Sequence, residues 1–223
     1  MPASKEPALP PRADRRKAES YARLMAAARQ LFSEQGFHAT RPQDIARAAD
    51  VGHGTFYLHF ADKRACFLAF AEAARVEIEG FVRERLAAVE GIEPQLRALL
   101  EALMDYAARH PGVIKAAMTD VSIIASEAPE GQWLVDRWAA HWAARIRAGA
   151  RAGAIRDDYD AEIIGHAIVG LLRGSAGFGN RHRDRREQLV DTVVAFLVRA
   201  LVPEGAGDAV RHHKLLLGER SPK

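Results

Sequence analysis

Residues 36–63 read GFHATRPQDIARAADVGHGTFYLHFADK, and within them VGHGTFYLHF (51–60) gathers two glycines, three aromatic rings and two histidines into ten positions. A helix that short is marginal alone in water, because nucleation costs more than a few hydrogen bonds return. It needs a platform, and the flanking residues supply one. Tyr21, Leu24, Ala28, Leu31 and Phe32 recur at helical spacing, which predicts a first helix from about Asp14 to Gln35, stopped at Gly36. Thr40 offers a hydroxyl N-cap and Pro42 suits a first helical turn, so a second helix covers about 41–49 and turns Ile45, Ala46 and Ala49 inward. Asp50, Val51 and Gly52 form a tight turn. A third helix follows over about 53–59, and Asp62 caps a fourth that reaches about Ala87.

Two helices joined by a turn of three or four residues make a helix-turn-helix. Val51 and Phe56 are its apolar plugs, which leaves His53, Thr55, Tyr57 and His59 to face something else. Charge points the same way. Residues 1–64 carry 11 Lys and Arg against 7 Asp and Glu, whereas residues 65–223 carry 21 against 22, so the whole net charge of +3 comes from the first quarter. A polyanion would favour that distribution, and so would a solvated basic arm around Arg12, Arg15, Arg16 and Lys17.

The string LFSEQGFHATRPQDIARAADVGHGTFYLHFADK (31–63) resembles the amino-terminal DNA-binding domain of the TetR family of bacterial transcriptional regulators. The shared landmarks are Phe32, Gly36, Phe37, Thr40, Ile45-Ala46, Val51, Gly54-Thr55-Phe56-Tyr57, Phe60 and Lys63. The resemblance implies an all-α homodimer: a three-helix helix-turn-helix domain on operator DNA, followed by a bundle for ligand binding and dimerisation, about nine helices in all. It departs from the family at Gly52, where a serine is usual, and at Pro42, where a small aliphatic residue is commoner.

On that reading Gly52 and Gly54 let the backbone approach the duplex, while His53, Thr55 and Tyr57 are the candidates to read base edges. His59, Lys63, Thr40 and Arg41, and Tyr57 through its hydroxyl, are the candidate phosphate contacts. Each also has a plainer reading, Tyr57 as a packed core ring and His53, His59 and Lys63 as solvated side chains.

The domains are expected at 1–13 (a disordered arm), 14–62 (DNA binding), 63–202 (ligand binding and dimerisation) and 203–223 (a mobile tail). Helices are expected near 93–109, 112–126, 131–152, 159–179 and 183–201. In the last two, Ile164, Ile168, Leu171 and Leu172, with Gly174, form one stripe, and Val193, Val194, Leu197 and Leu201 form another. These stripes read as a dimer interface, or else as packing within one chain. Met104, Tyr106, Met118 and Phe178, with Trp133, Trp138, Trp142 and His141, are candidates to line a pocket for a small apolar or aromatic effector, or to be ordinary core.

Other classes find no support. There is no Ser-His-Asp order, paired-carboxylate site, Gly-rich phosphate loop or zinc-ligand spacing, so neither an enzyme, a cofactor nor a metal is expected. The single cysteine, Cys66, forms no internal disulfide, and no apolar run is long enough to span a membrane, which suits a bacterial cytoplasm. The expected function is a ligand-responsive repressor on a palindromic operator. The alternative is a ligand-independent DNA-binding protein whose second domain only dimerises or docks a protein.

Overall fold

The computed structural model describes residues 12–117 and 129–204, with side chains at 13–117, 136–179 and 181–204. Among the described residues there are helices and no strands. They are α1 (Arg12–Ala39), α2 (Pro42–Ala48), α3 (His53–His59), α4 (Lys63–Leu86), α5 (Ile92–Arg109), α6 (Val113–Lys115), α7 (Pro129–Arg151), α8 (Ala161–Arg181) and α9 (Arg186–Leu201), with a 3-10 turn at Arg183–Arg185. The arm and tail expected at 1–13 and 203–223 lie largely outside the described residues, as does most of the helix expected over 112–126; α1 already begins at Arg12.

The chain divides into two compact units, Met1–Phe70 and Ala71–Lys223. The boundary falls inside α4, eight residues beyond the division expected at 62/63, and aromatic packing explains why. Phe67 and Phe70 on the first turns of α4 are buried with Phe32 of α1. Ring centroids lie 4.9 Å apart for Phe32–Phe67 and 5.6 Å for Phe32–Phe70, the first pair edge-on. Such pairs add about 0.5–1.5 kcal/mol each beyond the area they bury. The start of α4 therefore belongs to the core of the first unit.

Gly36 interrupts α1 with φ 80° and ψ 176°, a backbone conformation an L side chain rarely adopts. Beyond it the chain turns towards α2, which opens with Arg41 at the N-cap and Pro42 in the first turn. Ile45, Ala46 and Ala49 are all buried. Cys66 is buried as well, and burial pushes its thiol up to about 12.

In the second unit, α5, α7, α8 and α9 enclose one apolar core that includes Leu96, Leu100, Trp142, Ile146, Ile168, Val194 and Leu197. The seam between α7 and α8 is tight at Gly165, where an added Cβ would collide with the Ala139 carbonyl oxygen. Charged groups tie the periphery: Asp105 of α5 accepts from Arg186 of α9 at 2.6 Å and from Arg85 of α4 at 3.1 Å. Those guanidiniums, Arg186 above all, hold its carboxyl below the usual range. No described helix is long and apolar enough to cross a membrane.

Candidate nucleic-acid interface

Helix α3 spans the seven residues expected of it, and its inner side is one ring: Phe56 is fully buried and lies tilted against Phe60, itself buried, with centroids 5.5 Å apart. The turn before α3 is clamped from α1. Arg23 donates to both the Asp50 backbone oxygen and the Asp50 carboxylate at 2.7 Å, and Asp50 sits in the left-handed region with φ 50°. Val51 is half-buried beside it. The clamp was not foreseen from sequence, where Arg23 is one basic residue among many.

The outer side of α3 is bare. Gly52, His53, Gly54 and Tyr57 are exposed, and Thr55 is half-buried. Tyr57 is 50% exposed with its ring edge-on to His53 at 5.2 Å, so it is not a core ring. Neither glycine is required by the chain's own packing, because Gly52 has φ −64° and a Cβ at Gly54 would meet nothing within 4 Å. Their missing side chains leave room outside the protein, not within it. Arg41 is exposed at the start of α2.

Three expected phosphate contacts are otherwise engaged. Thr40 is fully buried, donating its hydroxyl to the Gly36 carbonyl at 2.8 Å and accepting from the Gln35 amide at 3.2 Å. It closes the break in α1, and the N-cap of α2 is Arg41. The Lys63 ammonium donates to the Phe37 carbonyl at 2.8 Å and lies 4.2 Å from the Phe37 ring centre. Partial burial lowers its pKa. It satisfies carbonyls at the end of α1 instead of standing free in solvent. His59 is half-buried, with its Nε2 2.8 Å from the Ser20 hydroxyl and its ring 5.7 Å from that of Tyr21. It fastens the end of α3 to α1.

Residues 24–70, which make up this platform and its outward helix, match the model for the tetR family of bacterial regulatory proteins. These residues form a domain of the TetR-family type. Among curated relatives, the HTH-type transcriptional activator FasR of Mycolicibacterium smegmatis is 31% identical over 88 residues, 40% of each protein, so the chain spans less than half the length of that relative. Solved structures extend the likeness in fold to most of the chain. The fatty acid degradation regulator FadR of Bacillus halodurans has a TM-score of 0.66 at 19% identity, covering 80% of this chain and 94% of that one. A gamma-butyrolactone receptor has a TM-score of 0.59 at 20% identity, covering 87% and 94%.

The other candidate residues lie in the second unit. Ile168, Leu172, Val193, Val194, Leu197 and Leu201 are buried in the chain's own core, and Ile164 and Leu171 pack against it. Packing within one chain, the other reading of these stripes, accounts for the six buried residues, while Ile164 and Leu171 keep part of their surface. The outer stripe of α8 carries Ile163, 69% exposed, then Ala167, Gly170 and Gly174, all exposed, and a Cβ at either glycine would meet open space. On α9 the outer side is Thr192, Ala195, Phe196 and Arg199, which with Ala200 line an open groove; Phe196 is 61% exposed.

Of the pocket candidates, Met104 and Trp142 are buried in the same core and Trp138 packs against it. Tyr106 is buried, with its ring 4.5 Å from that of His110 and 5.6 Å from that of Phe81. Met104, Tyr106 and Trp142 are core residues, and Trp138 keeps part of its surface. Phe178 is half-buried beneath His182, their rings 4.4 Å apart, and His141 is exposed. Met118 and the side chain of Trp133 lie outside the described residues. No cluster of potential metal ligands occurs among the described residues.

Thr40→Val keeps the shape of the side chain while stranding the Gly36 carbonyl. It is expected to lower stability by about 1–3 kcal/mol in chemical denaturation; an unchanged midpoint would show that Thr40 does not hold the break in α1.

Proposed function

We propose that the chain is a transcriptional regulator that binds double-stranded DNA as a homodimer through the outer face of α3. The observation that carries this reading is the division of α3 into two sides. Phe56 and Phe60 hold it to the platform, while His53, Tyr57 and two bare glycines are left to the solvent. A helix so presented enters a major groove, where His53, Thr55 and Tyr57 meet base edges and Arg41 meets a phosphate at the start of α2. Lys63 and His59 act by setting the pose of α3, although an ammonium with three donors still has one to offer a phosphate. Binding of fragments selected from the source genome tests the reading. One sequence should be enriched, its affinity should fall steeply with salt, and exchange of His53 should change which sequence is preferred. Recovery of no sequence over background would refute it.

Two copies present two α3 helices, so the operator is a palindrome with half-sites about one helical turn, or a multiple of one, apart. The bare stripe Ile163–Ala167–Gly170–Gly174 and the groove around Phe196 support the outer faces of α8 and α9 as the surface that a second copy covers. Small residues let helices approach closely, and exposed Ile and Phe supply apolar area to bury. Phe196→Glu places a charge in that surface. It is expected to halve the sedimenting mass and to weaken operator binding at least tenfold; an unaltered dimer would place the interface elsewhere.

A small apolar effector bound in the second unit relieves repression by preferring the state of the dimer that holds its α3 helices off register. Support comes from the likeness in fold to a gamma-butyrolactone receptor and from the aromatic content of α7, which carries three tryptophans in ten residues, Trp133, Trp138 and Trp142. A panel of apolar compounds should contain some that raise the melting temperature and release DNA. If none does either, the second unit only dimerises.

A further inference from the structure

At 76% exposure Leu58 is the barest of the large apolar side chains among the described residues. Its place on α3 gives it a use. Successive residues of a helix are about 100° apart, so the side opposite Phe56 centres on Gly54. The edge-on pair His53 and Tyr57 stands to one side of that glycine and Leu58 to the other. Gly54 and Leu58 are four residues apart and share a face. A leucine in a helix leans back over the preceding turn, here over a position where even a Cβ would touch nothing within 4 Å. The outer side of α3 is thus a bare notch, with polar ring tips along one edge and an isobutyl group along the other.

A leucine neither donates nor accepts a hydrogen bond. On the floor of a major groove, the feature an apolar side chain selects is the C5-methyl group of thymine. We infer that Leu58 is a specificity-determining residue that selects a thymine in each half-site through this methyl, separately from the hydrogen-bonding readers His53 and Tyr57. The inference rests on the DNA-binding reading of α3 given above. Burying one methyl is worth about a fourfold change in affinity, and against cytosine the discrimination is larger because the hydrogen-bonding pattern changes too.

The test uses the full chain and its selected operator, with each thymine replaced in turn by deoxyuridine, which removes the methyl and nothing else. At one position per half-site, uracil should weaken binding by about fourfold. Leu58→Ala should bind the thymine and uracil forms of that site alike, whereas Thr55→Ser, which deletes the other methyl on α3, should still discriminate. The exposed position of Leu58 predicts an unchanged melting temperature for Leu58→Ala. An operator without thymine, a wild type indifferent to uracil everywhere, or discrimination that survives Leu58→Ala overturns the assignment and leaves DNA binding by α3 standing. Failure to select any sequence removes both.

Discussion

The burial of Phe56 and Phe60 is the contact on which the first unit depends. A seven-residue helix has too few internal hydrogen bonds to offset the entropy of forming it, so α3 exists only as far as other helices hold it. A fully buried phenylalanine contributes about 1.5–3 kcal/mol, comparable with that cost, and two of them flank the last turn of α3. Further ties come from α1: Arg23 on Asp50 before α3, and at its end Ser20 on His59 and the Tyr21 ring against His59 and Phe60. Apolar burial makes the helix stable, and the polar ties at its two ends set its direction.

The same logic orders the break in α1. Gly36 turns the chain, and the turn leaves carbonyls at Gly36 and Phe37 without helical partners. Thr40 takes one and Lys63 takes the other. A buried hydroxyl and a half-buried ammonium here do the work a C-terminal cap does elsewhere. The ammonium also rests on the Phe37 ring, a contact of the cation–π type.

The helix-turn-helix was legible because its signals are local: periodic apolar residues, a glycine stop, a proline in a first turn. The three helices of the platform fall within a few residues of where those signals put them, and α3 coincides. Polar roles were less legible. Thr40, Lys63 and His59 resemble phosphate contacts in the sequence, yet each finds a partner inside the chain that only the folded arrangement brings near. The apolar stripes of α8 and α9 had two readings in the sequence for a related reason. The stronger stripe on each helix, including Ile168, Leu172, Val194 and Leu197, is the one a single subunit buries first. What remains for an interface is the weaker stripe of glycine, alanine and isolated large residues, and hydrophobicity alone ranks it last.

Few of the residues on the outer side of α3 have any duty to the fold. Gly54 could carry a side chain without a clash, and Leu58 is largely bare. Replacements there leave the platform intact, so a duplicated gene can drift to a new target without passing through an unfolded intermediate. The platform's buried phenylalanines allow no such freedom. In this molecule the part that chooses a target and the part that keeps the fold lie on opposite sides of one short helix, which lets the first change while the second stays fixed.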